Sequence, residues 1–190
     1  MGQLEQDLAV HEVIGLDTAP FIYLWEQHPR YFPLSETLFR HLKKLNVQGI
    51  TSIITLIEAC VLPRRQGRQD LIQAYERALL YSQQVRTLPV DAVLARRAVV
   101  LRAEYGIRVP DALQIAAALE AGATAFVTND RRLTKVKEFC VLQFLPVLHL
   151  PIQGCLGRFC LFQYTILTRL SSWLAQRKRD SDQTVLKIER

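Results

Sequence analysis

Four acidic residues stand where a short apolar run gives way to a loop or a helix: Asp17 after VIGL, Glu58 in TLIEACVLP, Asp111 in RVPDALQ and Asp130 after AFVTN. A parallel β-sheet gathers the C-terminal ends of its strands along one edge, and open α/β proteins bind ligands there. Acids far apart in the chain can therefore meet. Crowded carboxylates repel strongly where the dielectric is low. A hard divalent cation such as Mg2+ or Mn2+, which takes carboxylate oxygens and water, relieves that repulsion. Held in this way, it activates water for in-line attack on a phosphodiester and steadies the leaving oxygen. No His or Cys arrangement of the kind a nucleophile needs accompanies the acids, so the pattern fits metal-assisted hydrolysis better. Each acid also has a plain structural reading: Asp17 and Asp130 as helix caps, Asp111 as a partner of a helix dipole, Glu58 as a solvent-facing side chain. The apolar neighbours Leu56, Ile57, Ala59, Cys60 and Val61 predict instead that Glu58 is buried.

These acids need a scaffold of alternating strands and helices, and the chain reads that way. A polar leader (1–11) precedes the strand VIGLD; Thr18 then caps a helix, APFIYLWEQ, with Pro20 in its first turn. An amphipathic helix over 34–45, with Ser35 and Glu36 at its start, leads to a strand over 49–53 and a helix over 55–67 that ends near Pro63 or Gly67. DLIQAYERALLYSQQ is the next helix, VRTLPV a strand, and DAVLARRAVVLRAEYG a helix capped by Asp91 and stopped by Gly106. In RVPDALQIAAALEAGATAFVTND, Pro110 suits a first helical turn and Gly122 a left-handed stop. The helix between them is apolar on every face, so it should be largely buried. AFVT is a strand of the kind covered on both sides, and VLQFLPVL (141–148) closes the sheet. Strands alternating with helices of this length predict βαβ units around a parallel sheet.

Composition narrows the function classes. With 49% hydrophobic and 22% charged residues, the 190-residue chain is globular. Cys60, Cys140, Cys155 and Cys160 have no paired framework, which points to reduced thiols and a cytoplasmic setting without a signal peptide. The four histidines (His11, His28, His41, His149) form no ligand cluster. Residues 1–150 hold 17 Lys and Arg against 15 Asp and Glu, whereas residues 151–190 hold 7 against 3. The basic excess thus lies mostly in the tail and gives the core no general nucleic-acid face. Local basic groups (Arg64, Arg65 and Arg68; Arg96 and Arg97) read as solvated helix faces. Arg131, Arg132, Lys135 and Lys137 follow Asp130 directly, which makes Arg131 and Arg132 the best placed to meet a polyanion.

The motifs VIGLDTAPFIYLWE, ITLIEA, GIRVPDALQIAAALEAGATAFVTNDRRL and VLQFL together resemble the PIN domain family, and within it the VapC-type toxin ribonucleases of bacterial toxin–antitoxin pairs. The third motif is the most specific. The resemblance spans about residues 12–148 and implies a three-layer α/β/α sandwich with a parallel sheet. It also implies endonucleolytic cleavage of RNA, with Asp17, Glu58, Asp111 and Asp130 binding Mg2+ or Mn2+. Homodimerisation and inhibition by a small antitoxin come with the same resemblance. Thr18, Thr128 and Asn129 are candidates to orient the acids.

The departure from that family is an extension over 149–190. Residues 139–157 are uncharged but broken by Pro146, Pro151 and Gly154, so no transmembrane helix is expected; 158–179 reads as a helix with a basic end, and the remainder as a polar, disordered one. Two rivals remain. One is a catalytically inactive PIN-like module that binds RNA or protein. The other is a receiver-like or phosphohydrolase domain, opposed by the lack of Asp-x-Asp after the first strand and by Asp91 being the only acid after the third. A dinucleotide site fails for want of a glycine-rich turn after the first strand.

Overall fold

Five short strands carry the architecture of a computed structural model that describes residues 3–45 and 47–144. They are Val13–Leu16 (β1), Gln48–Ser52 (β2), Val85–Leu88 (β3), Ala125–Thr128 (β4) and Cys140–Gln143 (β5). All neighbours run parallel, in the order β3-β2-β1-β4-β5. β1 is therefore central, and β4, buried at every position, lies beside it with Leu16 opposite Val127. The apolar run AFVT suits a strand covered on both faces.

Two glycines show how closely the layers meet. A Cβ on Gly15 would lie 2.5 Å from Ala118 Cβ and from Phe126 Cδ2, so the helix Val109–Glu120 (α7) rests directly on this face of β1. A Cβ on Gly49 would lie 2.8 Å from Leu16 Cδ1 and 3.1 Å from Leu42 Cδ1 on the opposite face, which the helix Phe32–Leu45 (α3) covers. Helix Ala92–Tyr105 (α6) packs on α7, completing a three-layer α/β/α arrangement. Ala112, Ile115, Ala116, Ala117 and Ala118 of α7 are fully buried. Small side chains let this helix lie close to the sheet. It ends as glycine chemistry requires: Gly122 has φ +77°, its N–H donates to the Leu119 carbonyl, and the Ala123 N–H donates to that of Ala118.

Several boundaries differ from expectation. The polar leader contains a helix, Gln3–Leu8 (α1), held by the burial of Leu8 and packed on α3. In helix Thr18–Trp25 (α2) the cap is Asp17, not Thr18; Asp17 has the extended backbone of a cap and accepts the Thr18 N–H. Helix α3 starts two residues early, leaving Ser35 buried inside it rather than at its start. Helix Ile54–Arg65 (α4) runs through Pro63, and helix Gln69–Leu80 (α5) stops short of the expected Gln84. Part of the expected closing strand (145–148) and the whole extension over 149–190 lie outside the described residues. No helix among the described residues is long and apolar enough to cross a membrane.

Candidate active site

The chain leaves β1 at Leu16 and β4 at Thr128, side by side, so the residues just beyond both strands share one edge. Asp17 is there. Its backbone N–H donates to the Val127 carbonyl; its Oδ1 accepts the Thr18 N–H at 2.7 Å and its Oδ2 accepts the Thr128 hydroxyl at 2.5 Å. The carboxyl keeps a partial opening to solvent, yet its surroundings strip most of its hydration. Burial, the largest influence, drives its pKa to about 6, against the hydrogen bonds from Thr128 and Thr18; repulsion from Glu58 and Asp111 adds to the rise. Asp17 thus feels two other acids at the carboxyl end of β1.

Glu58 reaches the site from α4. The expected burial is not found: Glu58 is exposed, because its apolar neighbours Ile57 (58% exposed) and Val61 (44%) also face outward. One of its oxygens is nonetheless held. Oε2 accepts the Thr18 hydroxyl at 2.5 Å and the Gln114 amide at 3.0 Å. Gln114, fully buried on α7, also donates to Thr18 Oγ1 at 2.7 Å and lies 3.0 Å from Thr55 Oγ1.

Asp111, 5% exposed in the first turn of α7, is gripped by Arg108, whose Nε and Nη2 donate to the two carboxylate oxygens at 2.9 and 3.0 Å. Arg108 Nη2 also stands 3.9 Å from Asp130 Oδ2. Asp130 caps the 3-10 turn Arg131–Lys135 by accepting the Arg132 N–H at 2.9 Å, and the Arg132 guanidinium binds both its oxygens. Burial alone would raise the Asp130 pKa, but the Arg132 hydrogen bonds and the charges of Arg132 and Arg108 outweigh it, and the net shift is downward. Arg132 in turn feels Asp111 and Asp17. The four acids and two arginines therefore form one electrostatic unit.

Thr18 and Thr128 touch Glu58 and Asp17 respectively, whereas Asn129 donates its amide to the Tyr23 hydroxyl at 3.1 Å. Arg132 is a counter-ion of Asp130, and Arg131 sits beside it at the start of the turn. Sequence reasoning missed Arg108 and Gln114. Both carried a signal: Arg108 lies one helical turn before Asp111, and Gln114 is the single polar residue in ALQIAAAL.

Among the described residues, no three His, Cys, Asp or Glu side chains are drawn together tightly enough to hold an ion as they stand. Arg108 and Arg132 occupy the oxygens of Asp111 and Asp130. The donor set itself is all carboxylate oxygen, with the Asp17 pKa raised in part by the repulsion of its acidic neighbours. That chemistry suits a hard divalent cation.

A parallel sheet with acids at its carboxyl edge defines an open α/β protein with an acidic mouth. The sequence model of the PIN domain matches residues 14–139, and the chain belongs to the PIN domain family. No curated protein matches it. Among solved structures, it resembles VapBC2 from Rickettsia felis bound to a fragment of promoter DNA, with TM-score 0.53 and 18% identity over 69% of this chain and 98% of the other. It also resembles a toxin–antitoxin complex from Klebsiella pneumoniae (TM-score 0.49, 21% identity, 68% and 95% covered). A third is VapC20 of Mycobacterium tuberculosis, a Sarcin–Ricin loop cleaving toxin (0.49, 20%, 60% and 86%).

Proposed function

We propose that this chain is a metal-dependent endoribonuclease of the VapC type, the toxin of a toxin–antitoxin pair. It would act on RNA in the cytoplasm as a homodimer and be restrained by a cognate antitoxin. The observation that carries the reading is geometric: Asp17 at the end of β1, Glu58 tied to the adjacent Thr18, and Asp111 in the first turn of α7 all lie at the mouth of a PIN-family sheet. Asp17, Glu58 and Asp111 would hold Mg2+ or Mn2+, with Asp130 completing the acidic rim. An ion held there would supply Lewis-acid chemistry, activating a water and stabilising the charge that develops on a phosphodiester. Thr128 and the Thr18 N–H fix the Asp17 carboxylate, and the Thr18 hydroxyl fixes Glu58. Arg108 and Arg132, about 60% exposed and already at the mouth, are the cations positioned to meet the RNA backbone.

The test is cleavage of a structured RNA pool with Mg2+ or Mn2+, with and without EDTA, by the wild-type chain and Asp17→Asn. The reading expects internal cuts that vanish with EDTA and with the substitution. Metal-independent cutting, or undiminished cutting by Asp17→Asn, would contradict it. A second reading, an inactive PIN-like module that binds RNA or protein, is favoured by one observation: Arg108 and Arg132 already pair with Asp111 and Asp130, two of the four acids. RNA binding without cleavage at any Mn2+ concentration would decide for it.

A further inference from the structure

We propose that Gln114 is a positioning residue that aims Glu58 at the metal, directly and through the Thr18 hydroxyl, with the Thr55–Thr51 pair anchoring its amide; this rests on the metal-site reading above. The direction of each hydrogen bond follows from chemistry. A carboxylate only accepts, so Gln114 must present its nitrogen to Glu58 Oε2, 3.0 Å away. The Thr18 hydroxyl spends its proton on the same oxygen, so it accepts from Gln114 at 2.7 Å. The Thr51 hydroxyl donates to the Leu16 carbonyl at 2.9 Å. Thr55 therefore donates to Thr51, at 2.7 Å, and its remaining lone pair faces the Gln114 nitrogen at 3.0 Å. Two amide hydrogens serve three acceptors, and the network reaches from the end of β1 to Glu58.

Packing alone does not account for this residue. Gln114 is fully buried between Leu113 and Ile115, where leucine would satisfy the core, and its carbonyl oxygen Oε1 is buried without a hydrogen-bond partner. Buried polar groups are ordinarily paired, and exceptions concentrate where function requires them. The beneficiary is plain. Glu58 is an exposed side chain on the surface of α4, and without Gln114 and Thr18 its carboxylate has the usual rotamer freedom of a surface glutamate. With Oε2 held by both, Oε1 is the oxygen left for an ion. Losing a group that orients a metal ligand in this way typically costs about 10–100-fold in metal affinity or activity.

The experiment measures Mn2+ affinity by calorimetry and thermal unfolding of the wild-type chain, Gln114→Leu, Glu58→Gln and the double variant. Gln114→Leu is expected to weaken Mn2+ binding by about tenfold while still melting cooperatively, in line with the loss of an outer-shell partner. In the Glu58→Gln background it should add nothing. If the leucine variant does not fold, Gln114→Met, of matching length and without the donor, replaces it. Wild-type affinity in the Gln114 variant, or the same loss in both backgrounds, would overturn the proposal while leaving the metal site standing. A wild-type chain that binds no Mn2+ would overturn both.

Discussion

The two halves of the acidic mouth are stabilised by opposite means. Around Asp17 and Glu58 the partners are neutral: the Thr128 and Thr18 hydroxyls, a backbone N–H and the Gln114 amide. Around Asp111 and Asp130 they are guanidinium groups, from Arg108 and Arg132. Neutral donors orient a carboxylate without cancelling its charge; they pull the Asp17 pKa down, but burial outweighs them and it climbs to about 6. Guanidinium groups cancel the charge, and the Asp130 pKa falls despite burial. The first half is pre-set to attract a cation. The second already has one, which an incoming ion must displace or share.

Of the substitutions that probe this contrast, Asp17→Asn has the largest expected effect. Cleavage of RNA should drop by at least about a hundredfold, the scale of losing preorganised electrostatic stabilisation, while circular dichroism shows the fold retained. The pH dependence comes next. Folded Asp17 binds its proton more tightly than the unfolded chain does, between the model-peptide 3.8 and about 6. Its contribution to stability is therefore present below about pH 4 and is lost as the pH rises through 6, by up to about 3 kcal/mol for a shift of this size. Urea unfolding of the metal-free chain from pH 4 to 8 should show this slope, and Asp17→Asn should flatten it. Mn2+ affinity, in contrast, should fall as the pH drops below about 6, where the ion competes with the proton on Asp17.

Arg108→Ala addresses the other half. It leaves the buried Asp111 carboxylate without its bidentate partner, so the metal-free chain should lose about 1–3 kcal/mol, while Mn2+ binds more tightly because no guanidinium competes. Weaker Mn2+ binding would place Arg108 in support of the ion and erase the contrast between the halves. The smallest expected effect is at Asp130. With Arg132→Ala, burial acts against less opposition, so the Asp130 carboxyl should titrate higher than in the wild-type chain when followed by NMR.

The parts of this site legible in the sequence were those governed by local rules. An acid at or just past the end of an apolar strand lies at the sheet edge, so Asp17, directly after β1, and Asp130, two residues past β4, could be placed from their neighbours, and Pro110 and Gly122 bounded the helix that carries Asp111. Capping did not compete with clustering: Asp17 caps α2 with Oδ1 while Oδ2 serves Thr128. Glu58 was misread because apolar neighbours on a helix need not face inward, and Ile57 and Val61 do not. Gln114 was invisible as a partner of Glu58 because 56 residues separate them and only the packing of α7 beside α4 joins them. The helix in the polar leader was missed because its stability comes from burying Leu8 against another element, not from its own sequence.

The most direct test of the central claim is calorimetric titration of Mn2+ into the wild-type chain and into Asp17→Asn at pH 7.5. The account predicts saturable binding by the wild-type chain that the substitution abolishes. Equal binding by both, or none by either, would contradict it.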